Sequence, residues 1–369
     1  MIKRAIIAIC SVVSGGLILI FGADLSAGIR SGVSVCGDVV IPSLFPFMIL
    51  AEFIALSGAT DTLSRPLSPF TKFIFGLPKA AAAPIFLSFI SGYPVGASLA
   101  KRLYDSGEIS RSDAEKMLTF TVNSSPAMLI FAVGVGMLGS KKYGYLILFV
   151  HILASVLNGV LFSRIILNFS EKRRVKADGE STKKARIIEI GIQKGESAGS
   201  QKRAETAGLQ HYNLADAFVT ATADASISML KICGCVILFA GIVASLKSAK
   251  ILALFLEVTV GCKVAVGYGL RAVSAVVGFA GISVIMQVMT VSKGLIRPQI
   301  LILSRLTHAA ISYGLCEVAL SLLPEKSLAV LSTGLPSFNS FSSVTAPASA
   351  ALLLLSAVVM FSARIATAE

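Results

Sequence analysis

The sequence predicts an all-α polytopic membrane protein with two inverted-topology helical repeats, each with a re-entrant hairpin broken by Gly or Pro. The first supporting observation is composition. Of 369 residues, 55% are hydrophobic and only 14% are charged, and the mean hydropathy is +0.82. This is more apolar surface than a water-soluble domain buries. The other observations are an apolar stretch at 80–104 that is broken at its centre, and a second half that repeats the order of features in the first.

The chain has a net charge of +13, and its basic residues are most concentrated in one polar segment, residues 170–212, which holds ten Lys and Arg residues. Cytoplasmic loops of membrane proteins are rich in Lys and Arg. Scattered Gly, Ser and Glu between the basic residues are typical of a flexible linker. We therefore predict a basic cytoplasmic linker here and no nucleic-acid partner.

The six cysteines are scattered through apolar stretches, which indicates neither a disulfide framework nor a zinc site. The sequence also lacks a phosphate-binding glycine loop, a metal-spaced His/Glu cluster and a candidate catalytic triad. We therefore expect no cofactor, no metal and no enzymatic activity.

The N-terminal Lys3-Arg4 and the apolar run after it predict an anchor helix within residues 1–23, with the N-terminus in the cytoplasm. A cleavable signal peptide is the alternative. A second crossing is predicted at about 33–57. Asp38 would lie within or near the membrane, either as a functional or paired acid or, equally, at the interface near Arg30.

After a basic loop or interfacial segment at 58–79, the apolar stretch at 80–104 is interrupted by Ser91-Gly92-Tyr93-Pro94. Gly92 has no side chain to pack, and Pro94 disfavours helical geometry in the residue before it. Each arm holds about 10 residues, roughly 15 Å of helix, which is half a membrane. A hairpin that dips and returns leaves the basic linker in the cytoplasm after crossings at about 117–138 and 143–168, so we prefer it to a kinked spanning helix.

The second half resembles the first at an offset of 189 residues, which places Ser91-Gly92 over Ala280-Gly281. The repeats are predicted to occupy residues 24–169 and 213–369. Because each would contribute an odd number of crossings, the second is inverted relative to the first. Its predicted elements are crossings at about 228–246, 300–322 and 346–361 and a second broken stretch at 273–291.

The two breaks are candidate binding sites, because irregular backbone at membrane depth is tolerated only where protein covers it or it lines a wet cavity. A helix that begins there presents free N–H groups and a positive dipole end to a solute. The predicted solute-binding residues are Ser91, Gly92, Tyr93, Pro94, Asn123, Ser124, Gly281, Ser283 and Gln287. Gln287 lies four residues after Ser283, so both share one helical face. Alternatively, Gly92 and Gly96 only allow close helix packing.

Polar and ionisable side chains within apolar runs mark candidate coupling-ion sites. The candidates are Glu257, Thr259 and Asp38, with Glu317 as a rival. His308 could relay protons, but a single membrane histidine is more typical of a hydrogen bond between helices.

These motifs resemble one known family, the sporulation integral membrane proteins built from two nucleoside-recognition Gate domains. The resemblance is carried by Ser91-Gly92-Tyr93-Pro94-Val95-Gly96-Ala97, by Asn123-Ser124-Ser125-Pro126, and by Glu257-Val258-Thr259-Val260-Gly261 with Gly281-Ile282-Ser283 and Gln287. It implies an endospore-forming bacterium, a multi-pass protein of the cytoplasmic membrane and a role in spore cortex formation. It also implies kinship with the Gate domains of nucleoside and ferrous-iron transporters.

The predicted function is that of a transporter-like carrier of a polar solute, nucleoside-like or cortex-related, with alternating access between the repeats. The alternative is a non-transporting scaffold that recruits cortex or peptidoglycan proteins through the basic linker. The predicted partners are membrane lipid and a polar small-molecule solute. A coupling cation and a homo-oligomer are left open.

Overall fold

The computed structural model describes residues 21–167, 213–245 and 250–322, and all regular structure in these ranges is helical. The predicted linker, most of the predicted anchor helix and the crossing at 346–361 lie outside the described residues. In chain order the helices are α1 (Gly22–Leu56), α2 (Ala59–Phe75), α3 (Ala82–Ser91), α4 (Val95–Asp105), α5 (Arg111–Leu118), α6 (Met128–Met137), α7 (Lys141–Ile166), α8 (Leu214–Ser245), α9 (Lys250–Leu256), α10 (Val258–Val266), α11 (Leu270–Phe279), α12 (Gly281–Ser292) and α13 (Pro298–Ser321).

Within the described ranges, four helical stretches are long and apolar enough to cross a membrane. They are α1 with 35 residues, α7 with 26, α8 with 32, and α11 together with α12 with 23. About 20 apolar residues span the hydrocarbon core as a helix. The prediction of a polytopic helical membrane protein is therefore confirmed.

The helix α1 is continuous through two prolines, although the sequence suggested a disturbed crossing from about residue 33. A π-helical turn at Cys36–Val40 ends two residues before Pro42. A proline ring clashes with the carbonyl four residues earlier, and a widened turn at that place relieves the clash. The helix therefore begins at Gly22 and ends at Leu56 without a break.

The segment at 58–79, predicted as a basic loop or interfacial segment, is largely the helix α2, with Pro66 and Pro69 inside it. The helical segment that follows, Lys79–Ser91, is bent by 105° relative to α2. The two helices are therefore almost perpendicular.

Two pairs of short helices fold back sharply on themselves. In the first pair, α3 and α4, a Cβ added to Gly96 would lie 3.0 Å from the Ser88 Cβ. In the second pair, α9 and α10, a Cβ added to Gly261 would lie 3.0 Å from the Ala253 carbonyl oxygen. In one straight helix, residues eight apart are roughly 12 Å apart along the axis. Each pair is therefore a helical hairpin, with its turn at residues 92–94 in the first and at Glu257 in the second.

The break at Ala280 does not form the second hairpin that the sequence predicted at 273–291. Near the start of α11, Arg271 forms an ion pair with Glu317, which lies near the end of α13. Beyond the end of α12, Arg297 precedes the start of α13. Because α13 has 24 residues, or about 36 Å of helix, α11 and α12 together run along its length. The second hairpin was predicted at Gly281 from the glycine there, and this prediction is wrong, because the sharp turn lies at Glu257.

Two pairs of long helices, one helix of each pair from either half of the chain, pack antiparallel. Gly28 of α1 lies against Ala244 of α8, and near the other end of α1 the Phe53 ring lies 6.0 Å from the Phe218 ring, centroid to centroid. Between them, the Cys36 thiol lies 3.8 Å from the carbonyl oxygen of Cys233. The helices α7 and α13 are also antiparallel, because Asn158 contacts Ser304 while His151 contacts His308.

Candidate functional site

Residues 119–125 form a buried, non-helical segment between α5 and α6, which we call the unwound segment. Short polar side chains at Asn123, Ser124 and Ser125 compete for backbone hydrogen bonds, and Pro126 disfavours helical geometry in the residue before it. The Ser125 hydroxyl accepts a 3.2 Å hydrogen bond from the Met128 N–H, as at the start of a helix. The sequence thus breaks the helix here and leaves buried backbone groups that need other partners.

A fully buried arginine from the second half supplies some of these partners. The Arg305 Nη1 donates a 2.6 Å hydrogen bond to the Val122 carbonyl oxygen, and its Nη2 donates to the Thr119 carbonyl oxygen. The Asn158 side chain donates a further bond of 3.0 Å to Thr119. The planar guanidinium suits this task because its donors form a rigid fork. Arg305 therefore ties α13 to the backbone of the unwound segment.

The Phe120 carbonyl oxygen of the unwound segment is held in a similar way. It accepts hydrogen bonds from the Asn123 Nδ2 at 2.8 Å and from the Ser155 hydroxyl at 2.6 Å. The amide of Asn123 is thus oriented by its own backbone, and its Oδ1 is buried without a hydrogen-bond partner within the described protein. This oxygen is a fixed acceptor.

The turn of the first hairpin, residues 92–94, packs directly on the unwound segment. The Ser124 hydroxyl donates to the Tyr93 hydroxyl oxygen at 3.3 Å. Gly92 has a φ of +77°, and an added Cβ would lie 3.0 Å from the Ser125 backbone nitrogen. An added Cβ on Gly96 would lie only 2.3 Å from the Thr121 carbonyl oxygen. Glycine is required at both positions for this contact.

The turn of the second hairpin packs on the break between α11 and α12. The buried Glu257 carboxylate accepts a 2.8 Å hydrogen bond from the Val260 N–H and so caps α10. A Cβ added to Gly281 would lie 3.1 Å from the Val258 nitrogen. Tyr93 and Val258 belong to one buried hydrophobic cluster. The two hairpin turns therefore lie in the same core.

Gln287 and Ser283 share one face of α12, as their spacing predicts, because the Gln287 Nε2 donates a 3.2 Å hydrogen bond to the Ser283 hydroxyl. The Gln287 Oε1, like the Asn123 Oδ1, is buried without a hydrogen-bond partner within the described protein. Buried polar atoms are almost always satisfied, and exceptions need an explanation. Each half therefore has one buried side-chain amide oxygen that lacks a hydrogen-bond partner among the described residues.

Three of the predicted residues have other roles in the structure. The Ser91 hydroxyl donates a 3.2 Å hydrogen bond to the Phe47 carbonyl oxygen, so it ties α3 to α1. Asp38 accepts a 2.8 Å hydrogen bond from Ser34 on its own helix. The rival acid Glu317 forms its ion pair with Arg271 at a half-exposed position. Pro94 precedes the first turn of α4, and Thr259 lies buried in the first turn of α10.

His308 bonds another helix, as predicted, and its partner was not foreseen. Its Nε2 lies 3.3 Å from the His151 carbonyl oxygen, and the two imidazole rings stack. The Ser124 N–H donates to the His151 Nε2 at 3.2 Å. The histidine pair therefore joins α7, α13 and the unwound segment.

Sequence reasoning also missed Arg305 and Asn158. A signal for Arg305 was present, since it is an ionisable residue in the crossing predicted at about 300–322 and such residues mark sites by default. Nothing local distinguishes Asn158 from a residue that bonds neighbouring helices. Among the described residues, no group of three or more His, Cys, Asp or Glu is placed to hold a metal ion.

The fold and site define a multi-pass helical membrane protein with buried, broken helices. Residues 39–141, from the middle of α1 to the start of α7, match the Gate family, described as nucleoside recognition. The chain is also 34% identical over 131 residues to the sporulation integral membrane protein YlbJ of Bacillus subtilis (strain 168). This match covers 36% of the chain and 32% of that relative, so the chain spans about a third of the relative's length. No solved structure matches the chain.

Proposed function

We propose that the chain is a transporter-like sporulation membrane protein that carries a polar solute, nucleoside-like or cortex-related, between its two hairpin turns. One observation carries the proposal: both turns, at residues 92–94 and at Glu257, pack on helix breaks inside one buried core. The similarity to a sporulation membrane protein and to the Gate family supports it.

This proposal assumes an inverted repeat. The alignment of its two hairpins differs from the offset of 189 residues that the sequence suggested. The contacts that close the hairpins, Ser88 with Gly96 and Ala253 with Gly261, are related by an offset of 165 residues. The same offset superposes Val95-Gly96 on Val260-Gly261. The antiparallel packing of α1 on α8 is the arrangement that an inverted repeat requires.

The first hairpin enters and leaves the membrane on one side in this proposal. Lys79, at its beginning, and Asp113, in the helix that follows it, line the same cavity. Its arms, α3 and α4, have 10 and 11 residues, or roughly 15 Å each, which reaches half-way across a membrane. The second hairpin, α9 and α10, would enter from the opposite side.

The site would bind its solute through fixed oxygens and a helix N-terminus. The Asn123 Oδ1 and Gln287 Oε1 accept hydrogen bonds from hydroxyl or amino groups of the solute, and the start of α4, which has no side-chain cap, presents a positive dipole end to its oxygens. Glu257, which is 1% exposed, is the acid proposed for a coupling cation. Alternating access would move the hairpins relative to α7 and α13.

Complementation of sporulation, with uptake by reconstituted vesicles, tests this function. We expect Gly92→Leu and Gln287→Ala to abolish both activities although the variants insert normally. The matched controls are Gly234→Leu, where an added Cβ meets nothing within 4 Å, and Gln299→Ala at an exposed position. Full sporulation with both site variants contradicts the assignment. Loss of sporulation on deletion of residues 172–208, with intact uptake, favours the scaffold instead.

A further inference from the structure

The helix α2 has three distinct faces along its length. The buried face carries Ser64, Thr71 and Phe75. The exposed residues divide into an apolar stripe and a charged face. The apolar stripe consists of Pro66, Pro69, Phe70 and Phe73, and the charged face of Asp61, Arg65 and Lys72. Phe70 is 66% and Phe73 85% exposed. A helix with such faces lies in the membrane interface, with its apolar stripe toward the acyl chains.

The orientation of α2 agrees with this position. The helical segment after it is bent away by 105°. If that segment points into the membrane, as the proposed first hairpin requires, α2 lies nearly parallel to the membrane surface. Basic residues beside an apolar stripe then lie at the depth of lipid headgroups.

A cavity of about 650 Å³ opens at the C-terminal end of α2, between that helix and α5. Its polar lining comes from Ser68, Lys72, Lys79 and Asp113. The Asp113 carboxylate accepts a 2.7 Å hydrogen bond from the Ser110 hydroxyl, and Lys79 forms an exposed 2.7 Å ion pair with Asp61. Within the described part of the chain, Lys72 forms no ion pair. Its ammonium group is therefore available to an anion.

We infer that this cavity binds the headgroup of an anionic phospholipid. The phosphate lies against the free ammonium group of Lys72, with the ammonium group of Lys79, which also pairs with Asp61, on its other side. The acyl chains lie along the stripe that contains Phe70 and Phe73. Ser68 and Asp113 accept hydrogen bonds from hydroxyl groups of a phosphatidylglycerol headgroup. The inference depends on the membrane orientation in the proposed function but not on transport, so it can fail while transport stands.

The test uses the full-length protein in phosphatidylcholine vesicles that contain a small fraction of spin-labelled phosphatidylglycerol or phosphatidylethanolamine. Electron paramagnetic resonance measures the fraction of label that the protein immobilises. We expect the wild type to select phosphatidylglycerol over phosphatidylethanolamine. In the double variant Lys72→Gln, Lys79→Gln, this selectivity should fall about fivefold for each lysine removed. Lys142→Gln, an exposed residue at the start of α7, should change it little.

Three results would overturn the inference. They are equal immobilisation of both labelled lipids by the wild type, unchanged selectivity in the double variant, or displacement of labelled phosphatidylglycerol by inorganic phosphate at constant ionic strength. The last result would mean that the cavity takes a free phosphate. Because both lysines are exposed, the double variant should unfold at about the same temperature as the wild type. A thermal unfolding measurement therefore shows whether the variant is folded.

Discussion

The imidazole rings of His151 and His308 stack with their centroids 4.7 Å apart, although 157 residues separate them in the chain. They lie between the antiparallel helices α7 and α13, and the His151 ring also accepts a hydrogen bond from the Ser124 N–H of the unwound segment. The irregular backbone of the first half is thus held by side chains of both halves.

Arg305→Met should destabilise the protein, because it leaves the buried Val122 carbonyl group without its side-chain donor and removes one of the two side-chain donors to the Thr119 carbonyl group. A buried acceptor that loses its partner costs roughly 1–3 kcal/mol. Arg305→Lys should rescue little, since one ammonium cannot reproduce the fork. Thermal unfolding in detergent measures the change. Arg271→Met, at a half-exposed ion pair, is the control, and equal transitions for Arg305→Met and the wild type would contradict the role of Arg305.

Gly96→Ala should separate the first hairpin from the unwound segment. The added Cβ would lie 2.3 Å from the Thr121 carbonyl oxygen, so backbone must move, at a cost of roughly 1–3 kcal/mol. Gly234→Ala adds the same methyl group in open space and should be neutral or slightly stabilising. Thermal unfolding in detergent compares the two variants, and equal stabilities would show that the contact is not as close as described.

Cys36 and Cys233 should react with one short thiol crosslinker. Their helices cross at this point, with the Cys36 Sγ 3.8 Å from the Cys233 carbonyl oxygen. In a variant with only these two cysteines and a protease site in the linker, crosslinking should hold the halves together on a denaturing gel after cleavage. In a variant with only Cys36 and Cys316, which lie in different buried clusters, the two halves should separate on the gel after cleavage. Separation of both variants would argue against the antiparallel packing of α1 on α8.

Exchange of Glu115 and Arg297 should preserve the contact between α5 and the start of α13. The carboxylate accepts bonds of 2.8 and 3.0 Å from the guanidinium, and this raises the pKa of Arg297. Each single change, Glu115→Gln or Arg297→Gln, should cost about 1 kcal/mol. The exchange Glu115→Arg with Arg297→Glu should recover part of the lost stability. A double-mutant cycle without coupling would place these residues apart.

The sequence predicted the first hairpin because the signals are local: Gly92 and Pro94 cannot continue a helix. The predicted crossing at about 117–138 is wrong, because Asn123-Ser124-Ser125-Pro126 interrupts it and the unwound segment separates α5 from α6. The second hairpin was placed wrongly because its turn contains neither Gly nor Pro. Glu257 forms it by adopting an extended conformation and capping α10 with its own side chain, which only the packing of α9 on α10 specifies.

In the proposed function, the two hairpins enter from opposite faces of the membrane. Single cysteines at Glu108→Cys, Tyr268→Cys and Lys293→Cys, in a cysteine-free background, test it with a membrane-impermeant maleimide applied to intact cells and to inverted vesicles. Arg111 bonds the Gly294 carbonyl oxygen at 2.9 Å, so positions 108 and 293 should be labelled from one face, the cytoplasmic one by their basic surroundings. Position 268, between α10 and α11, should be labelled from the other face. Labelling of 268 and 108 from the same face would contradict the account.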